Sequence, residues 1–350
     1  MSGLEIALGC VGAALLATSL LRRLAPRFGL LDVPNARSSH QRAVPRGGGL
    51  AIALPVLGIV LALTLLRRLP AAQALAWLGG GALIAAVGLL DDRGGLSVRV
   101  RLMAQLLAAL AVMWVWDPAP LAGLNHLGAW LQLATWLSGT IAVVWVINLF
   151  NFMDGIDGLA AQQALFVCAA ALWLGAGPPA SPEGWLLFAL AGSTGGFLVW
   201  NWAPARIFMG DVGSGFVGFA LALAAVASSR NGSTSIWLWT ILMAAFIADA
   251  TVTVCVRMLR RERIHQAHRQ HAYQRLSRHW GSHARVSGAF LAVDLLWLLP
   301  LALAAARRPR WAPWLALAAL LALVVLALLT GAGRPGDIGA RASATPRRAL

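Results

Sequence analysis

Long apolar runs separated by short polar segments follow one another along almost the whole chain. A membrane-spanning helix needs about 20 mostly apolar residues, and the sequence contains eleven runs of that kind. The runs are apolar on all sides, as expected for helices that face lipid and each other rather than water. The pattern predicts an all-α, polytopic membrane helix bundle of about eleven transmembrane helices. The predicted spans are 3–21, 47–66, 71–90, 102–118, 130–150, 159–176, 185–203, 214–229, 235–256, 287–306 and 311–330.

The composition favours a membrane protein over a water-soluble one. Of the 350 residues, 59% are hydrophobic and only 12% are charged, whereas soluble surfaces carry about 25–35% charged residues. No loop is long enough for a soluble domain, so we expect one integral membrane domain over 1–350 that ends in a polar tail, 331–350. Arg22 and Arg23 follow the first span without an A-x-A-like cleavage site, which predicts a retained helix.

The distribution of arginines predicts the orientation of the bundle. All 28 basic residues are arginines, and 22 of them fall on the side reached after the first span. Because positively charged loops stay in the cytoplasm, we expect an outer N-terminus and an inner C-terminus. The net charge of +15 is expected to meet anionic lipid headgroups and phosphate substrates rather than nucleic acid.

Acidic residues gather on the same side, which predicts a cytoplasmic active site. Asp91 and Asp92 are adjacent at the end of a span, and such a pair suits a base or a metal site. A solvated cap paired with Arg93 is the alternative. The predicted catalytic loops are about 22–46, 91–101, 151–158, 204–213 and 257–286.

The segment N-L-F-N-F-M-D-G-I-D-G-L-A carries the most specific pattern. Asn148, Asn151, Asp154 and Asp157 recur every three residues, with no arginine among them. A negative patch of this kind at a membrane boundary requires a cation or many hydrogen-bond donors. Asp211 lies in a glycine-flanked turn before another span, where a helix N-terminus is also able to receive phosphate.

The fifth cytoplasmic loop is rich in histidine and arginine. His265, His268 and His271 are spaced by three residues, but no cysteine joins them and Glu262 is the only nearby acid, so a zinc site is disfavoured. A loop that grips phosphate explains the histidines as well as the arginines. A basic face against anionic lipid stays open as the alternative for the arginines.

Two further features complete the candidate set. Prolines and glycines beside Arg37, His40 and Arg46 predict an ordered loop around an anion. Asp249 and Asp294 lie inside spans, where acids usually face the bundle interior. Asp249 is expected either below the active site or in a pairing role, and Asp294 in a structural role. If both line a path instead, the protein is a membrane transporter, which is the alternative function.

Several motifs occur together in a fixed order: D-x-P-N-x-R-x-x-H, P-R-G-G-G, D-D, N-x-x-N-x-x-D-G-I-D-G-L-A, F-M-G-D-x-G-S and a histidine-containing fifth loop. This set, from about residue 29 to 285, closely resembles the polyprenyl-phosphate N-acetylhexosamine-1-phosphate transferases of the WecA, WbpL and MraY type. The resemblance implies Mg²⁺-dependent transfer, with Mn²⁺ as a substitute, of a sugar 1-phosphate from a UDP-sugar to undecaprenyl phosphate. UMP is the second product. A homodimer is left open.

The resemblance also implies roles for individual residues. Asp91 and Asp92 correspond to the acidic pair near the lipid phosphate, and Asp211 to a metal-binding aspartate. Phe208 corresponds to an aromatic residue that stacks on uracil. The remaining expected site residues are Asp154 and Asp157 as catalytic groups, Asp154 also as a metal ligand, Asn151, Asn201 and Arg46 for the nucleotide and phosphates, and His271 for phosphate.

The fifth-loop motif departs from most of these relatives. The chain reads His271-Ala-Tyr273-Gln where relatives carry further histidines, and this form is closer to the WbpL-like branch. We expect Tyr273 to pack against a C6 methyl, so that 6-deoxy sugars such as FucNAc or QuiNAc are used beside GlcNAc. Such a product would start an O-antigen or another cell-envelope glycan. A CDP-linked alcohol phosphotransferase is disfavoured, because its D-G-x-x-A-R run is absent.

Overall fold

The computed structural model describes residues 2–32, 43–116, 128–177, 181–263 and 268–336. Within these ranges the chain is almost entirely helical, with one short antiparallel pairing of β1 (Leu31–Asp32) and β2 (Val44–Pro45). This architecture confirms the predicted all-α class. Arg37, His40 and His265, together with most of the predicted tail, lie outside the described residues.

Fifteen α-helices make up the described part of the chain. Short π-helical segments extend α3 into α4 and α13 into α14, so each of these pairs runs as one long helix. The helices are α1 (Gly3–Leu24), α2 (Leu50–Leu65), α3 (Ala71–Leu75), α4 (Gly81–Gly94), α5 (Val98–Val115), α6 (Ala129–Met153), α7 (Leu159–Trp173), α8 (Pro182–Asn201), α9 (Gly210–Arg230), α10 (Ile236–Leu242), α11 (Ala244–Leu259), α12 (Ala272–Trp280), α13 (His283–Val293), α14 (Leu299–Arg307) and α15 (Ala312–Leu329).

Each of the eleven predicted spans coincides with one helix or with consecutive helices. In the described residues, seven helical stretches are long and apolar enough to cross a membrane, which confirms a multi-pass membrane protein. An eighth is formed if α10 and α11, bent by 76° at Met243, count as one span. Helices α2 and α7 are shorter apolar helices. The total of eleven stays a prediction.

Helix α9 lies at the centre of the bundle and is buried along almost its whole length. Glycines bring two neighbours close to it. A Cβ atom on Gly88 of α4 would lie 2.5 Å from the Asp211 carbonyl oxygen, and one on Gly218 would lie 2.8 Å from Ile147 of α6. The outer helices expose leucine and tryptophan side chains, as lipid-facing surfaces do. The close packing places the ends of α4 and α6 beside the start of α9.

Candidate active site

Asp92, at the end of α4, holds the first turn of α9. Its carboxylate is buried and accepts hydrogen bonds from the backbone N–H groups of Asp211 at 3.1 Å and Val212 at 3.2 Å. Helix α9 has no side-chain cap of its own, and the first N–H groups of a helix need an external acceptor. Arg46 lies on the other side, where its guanidinium donates to the Asp92 carbonyl and approaches the Asp92 carboxylate at 4.0 Å. Asp92 therefore connects the Arg46 loop to α9.

Arg101 bridges two of the predicted carboxylates. Its Nη1 atom lies 2.7 Å from Asp91 Oδ2 and 3.4 Å from Asp211 Oδ2. The backbone N–H of Leu96 donates to the other Asp91 oxygen at 2.5 Å. Sequence reasoning did not single out this arginine, although a signal was present. Arg101 lies one turn inside an apolar helix, where a charge with no partner would be costly.

The asparagines of the motif extend this network along α6. Asn151 Nδ2 donates to Asp211 Oδ1 at 2.8 Å and to Ser214 Oγ at 3.2 Å. Asn148, one turn further from the helix end, pairs with Gln105 of α5 at 2.7 Å. The three-residue spacing therefore places both amides on one face of α6, where only Asn151 reaches the carboxylates.

Asp154 follows the end of α6 and lies among other acidic groups. Burial raises its pKa well above the ordinary value, and the negative charges of Asp211, Asp92 and Asp157 raise it further. A hydrogen bond from the Gly210 backbone partly offsets this rise in pKa. Like charges in a poorly solvated site require a counter-charge. Arg101 and Arg46 supply part of it from one side.

The donor set fits a hard divalent cation. Asp154 and Asp211 offer carboxylate oxygens, and Mg²⁺ typically takes one or two carboxylates together with substrate phosphate oxygens and water. Within the described residues, no three His, Cys, Asp or Glu side chains converge as a ready-made metal cage.

Asp157 and Asn201 hold the loop that precedes α9. Asp157 accepts a hydrogen bond from the Ala205 backbone at 3.0 Å and lies 3.2 Å from His283 Nδ1. The buried Asn201 amide accepts from the Gly158 backbone at 3.1 Å and donates to the Ile207 carbonyl at 3.0 Å. Both ends of the Asn201 side chain therefore bind protein groups. Its expected nucleotide contact stays a prediction, as does the catalytic role of Asp157.

Phe208 and Arg46 lie on adjoining backbone segments. The Phe208 N–H donates to the Pro45 carbonyl at 2.8 Å, and the Gly48 N–H donates to the Phe208 carbonyl at 3.0 Å. The Phe208 side chain is partly exposed, three residues before Asp211. The same pair of backbone hydrogen bonds therefore positions both Phe208 and the segment that carries Arg46.

The fifth loop brings His271 to the same end of the bundle but turns Tyr273 inward. Tyr273 has 0% exposure, and its hydroxyl donates to the Phe152 carbonyl at 2.9 Å. Burial, followed by the charges of Asp249 and Asp154, raises the Tyr273 pKa well above its ordinary value. The ring has no free surface for a sugar. The expectation that it packs against a C6 methyl is therefore wrong.

His271 is buried, and its Nδ1 atom lies 3.2 Å from Asp249 Oδ1. Sequence reasoning left open whether Asp249 lies below the active site or pairs within the bundle, and the structure shows it paired with His271 and the start of α12. Asp294 is elsewhere, where its Oδ1 accepts from Gln163 Nε2 at 3.2 Å. His268 stacks on His271 with ring centroids 5.0 Å apart. The histidine spacing thus serves ring packing in the described part of the loop.

A groove leads from the carboxylates into the apolar part of the bundle. It runs between α4, α5, α6 and α9, with Arg101, Asn151 and Asp211 at its polar mouth. The rest of its lining combines apolar side chains, such as Ile84 and Leu102, with the polar pair Gln105 and Asn148. Charged, polar and aliphatic groups therefore line the same groove.

Comparison with known proteins gives an independent result. Residues 74–229 match Glycosyl transferase family 4. The chain is 30% identical over 269 residues to a probable undecaprenyl-phosphate N-acetylglucosaminyl 1-phosphate transferase of Bacillus subtilis, covering 75% of this chain and 74% of that protein. It is 35% identical over 250 residues to a decaprenyl-phosphate N-acetylglucosaminephosphotransferase of Mycobacterium tuberculosis, covering 64% and 61%.

A third relative is named for the transfer of a different group. The phospho-N-acetylmuramoyl-pentapeptide-transferase of Chlamydia muridarum is 35% identical over 208 residues, which cover 52% of this chain and 61% of that protein. The chain thus spans about three quarters of the Bacillus relative and about three fifths of the other two. The five aspartates of the site lie inside the matched segment, whereas His271 lies beyond it.

Proposed function

We propose that this protein transfers an N-acetylhexosamine 1-phosphate to a polyprenyl phosphate. The chain belongs to glycosyl transferase family 4, the superfamily of polyprenyl-phosphate N-acetylhexosamine-1-phosphate transferases. One observation carries the proposal: Arg101 bridges Asp91 and Asp211 beside a groove that Arg101 and Asp211 line together with apolar side chains. An enzyme that joins a polar sugar phosphate to a membrane lipid needs this combination.

The proposed donor is a UDP-sugar and the proposed acceptor is undecaprenyl phosphate. An acceptor phosphate oxygen forms a bond to the sugar-bound phosphorus, and the bond from that phosphorus to the bridging oxygen breaks. UMP leaves with the bridging oxygen, and the lipid keeps the sugar on a new pyrophosphate. Both reactants are anionic, so positive charge is needed before they approach. The guanidiniums of Arg101 and Arg46 lie where they would supply it.

We assign the cofactor as Mg²⁺, with Mn²⁺ as a substitute. Asp211 and Asp154 would hold it, since both present carboxylate oxygens beside other acids. When bound, the ion would neutralise phosphate charge and stabilise the leaving UMP. Asn151 orients the Asp211 carboxylate through the 2.8 Å hydrogen bond, and Asp92 fixes the backbone beneath it.

The sugar of the donor is proposed from the names of the relatives and from the fifth-loop motif. The Bacillus and Mycobacterium relatives are named for N-acetylglucosamine, so UDP-GlcNAc is the first donor to test. A 6-deoxy-HexNAc rests only on the resemblance of the His271-Ala-Tyr273-Gln motif, because Tyr273 is buried. We place the reaction at the cytoplasmic face of the inner membrane, as the first step of an O-antigen or another cell-envelope glycan.

The test is UMP release by the purified protein in detergent with undecaprenyl phosphate and Mg²⁺. We expect UMP with UDP-GlcNAc or a UDP-linked 6-deoxy-HexNAc, and none when the lipid is omitted. A folded protein that releases no UMP with any UDP-HexNAc would contradict the proposal. Substrate uptake into proteoliposomes without UMP would favour the transporter alternative. Asp249 and Asp294 both have hydrogen-bond donors within the protein, which does not favour that alternative.

A further inference from the structure

Three hydrogen-bond donors of the fifth loop converge on one carboxylate. Asp249, in α11, is only 3% exposed. Its Oδ1 atom accepts from the Ala272 backbone at 2.9 Å and lies 3.2 Å from His271 Nδ1, while Oδ2 accepts from the Tyr273 backbone at 2.9 Å. Thr253 Oγ1 donates to the same carboxylate at 3.2 Å. Both Asp249 oxygens are therefore used by the first residues of α12 and the histidine before them.

This arrangement fixes both the start of α12 and the ring of His271. The first N–H groups of a helix lack partners within it, and a carboxylate there is favourably placed in the helix dipole. At its other side α12 is held by Arg275, whose guanidinium donates to the carbonyls of Thr330 at 2.8 Å and Arg334 at 2.9 Å. His271 therefore lies at the start of a helix that is fixed by contacts with α11 and with the end of α15.

We infer that Asp249 is a positioning residue that sets the orientation and proton arrangement of His271, an inference that rests on the proposed function. A carboxylate only accepts hydrogen bonds, so the nitrogen facing it carries the proton. Nε2, on the opposite edge of the ring, is then a hydrogen-bond acceptor, which suits a substrate hydroxyl or a proton from a substrate group. A carboxylate that orients a functional histidine in this way typically contributes about 10- to 100-fold to activity.

The ring has little freedom to compensate if Asp249 changes. His268 stacks on it at 5.0 Å, Phe152 lies at 6.1 Å and Tyr273 at 5.6 Å, measured between ring centroids. Replacement of Asp249 by asparagine keeps the shape but presents an N–H₂ group to donors. With that group facing the ring, the imidazole must accept on Nδ1, which moves its proton to Nε2, or turn away; with it facing Tyr273, the start of α12 loses a hydrogen bond.

The kinetic test is a double-mutant cycle of Asp249→Asn and His271→Ala, measured as UMP release. We expect Asp249→Asn to lower kcat by about 10- to 100-fold, with KM for the UDP-sugar within about threefold of the wild type. In the His271→Ala background the same change should cost no more than about threefold, because residues that act through each other are not additive. Additive losses, or a loss confined to KM, would overturn the inference.

The matched control is Asp294→Asn, a second buried acid within a span that contacts Gln163 and no site residue. It should leave kcat unchanged. If Asp249→Asn does not accumulate in the membrane, Thr253→Val takes its place, since it removes one hydrogen bond to the same carboxylate. It should lower kcat a few-fold, and a wild-type kcat would count against the inference.

A measurement without turnover separates this inference from the proposed function. Diethyl pyrocarbonate acylates exposed imidazoles, and trypsin releases residues 270–275, in which His271 is the only histidine. Acylation of this peptide should be several-fold faster in Asp249→Asn than in the wild type or in Asp294→Asn. Acylation of the partly buried His283, located within the peptide 279–285 by tandem mass spectrometry, reports general unfolding and should not change. Unchanged acylation of His271 would overturn the inference, even if no donor is turned over.

Discussion

At the scale of single residues, the carboxylates of the site have different partners. Asp92 binds backbone N–H groups of α9, and Asp157 binds the Ala205 N–H and His283. Asp91 is paired with Arg101. Asp211 accepts a hydrogen bond from Asn151 on one oxygen and has only a longer contact with Arg101 on the other. Its second oxygen is therefore the more available one for a cation. This difference is why we assign the cation to Asp211 and Asp154.

The first prediction concerns Asp211→Asn. The change keeps the size of the side chain but removes the charge that would hold the cation. Turnover should fall on the order of 10³-fold, which corresponds to about 4 kcal/mol of transition-state stabilisation. UMP release measures the loss, and an unchanged thermal transition in detergent checks the fold. Full activity with Mg²⁺ would remove Asp211 from the metal site.

The second prediction concerns Mg²⁺ and pH. The pKa of Asp154 is raised in the folded protein, so without a cation its ionisation destabilises the fold as pH rises above the ordinary carboxyl range. A cation binds the ionised form, so its binding should tighten as pH rises through the raised pKa. We expect Mg²⁺ to raise the melting temperature over EDTA more at about pH 8 than at about pH 5.5.

The comparison needs one control variant. In Asp211→Asn the Mg²⁺-dependent part of the shift should be small at both pH values. A shift that is equal at both values in the wild type would show that no group with a raised pKa takes part in cation binding.

At the scale of secondary-structure elements, adjacent aspartates give a matched pair of variants. Asp92→Asn should destabilise the start of α9 by about 1–2 kcal/mol, because a charged cap of two N–H groups is weakened. Asp91→Asn leaves that cap intact and should lose activity with little change in stability. Thermal unfolding and UMP release, measured on both proteins, separate the two effects. Equal destabilisation by both changes would contradict the assignment of the cap to Asp92.

Two glycines test how tightly α9 is joined to α4. Gly210 has a φ of +75°, and a Cβ there would lie 2.4 Å from Asp92 Oδ2, whereas Gly95 has a φ of +72° and open space around it. Gly95 also has a ψ of 128°, so Gly95→Ala should cost about 1–3 kcal/mol from backbone strain alone. Gly210→Ala adds the collision and should also lower activity. Similar stability and activity of the two variants would show that the contact with Asp92 tolerates displacement.

The membrane helices were predictable from the sequence because each lies largely within an apolar run, whereas the polar helix α12 of the fifth loop was not predicted. Contacts between distant segments were only partly predictable. That Asp92 and Asp211 share one end of the bundle follows from counting spans, but the hydrogen bond between them depends on packing at Gly88. The bend at Met243 and the inward turn of Tyr273 depend on helix angles, which no local pattern encodes.

At the scale of the whole molecule, large apolar side chains lie on the outer helices, and arginine–tryptophan contacts lie near the active-site end. The central helix α9 is buried, while outer helices expose large apolar side chains such as Leu16 at 75% and Trp130 at 82%. Near the active-site end, Arg22 lies over the Trp200 ring at 4.5 Å and Arg206 at 5.6 Å. Tryptophan and arginine together are typical of the headgroup level of a membrane. These contacts therefore mark the depth of the bundle at that end.

The orientation of the bundle gives the last prediction. The positive-inside rule places the site end in the cytoplasm, so cysteines at Ser97 and His279 should be shielded from an impermeant maleimide in spheroplasts. A cysteine at Ser233, at the opposite end, should react. All three positions are exposed, so a reagent that reaches their side of the membrane can react with them. The variants require replacement of Cys10, Cys168 and Cys255, of which Cys255 is exposed.

Permeabilised spheroplasts provide the control for that experiment, because all three cysteines should then react at similar rates. Reaction at Ser97→Cys and His279→Cys from outside, with Ser233→Cys shielded, would invert the orientation. It would also place the carboxylates away from the cytoplasm, where nucleotide sugars are made. That result would contradict a UDP-sugar donor while leaving the fold and the hydrogen bonds of the site unchanged. Labelling of Ser97→Cys and His279→Cys only after permeabilisation would support both the topology and the proposed donor.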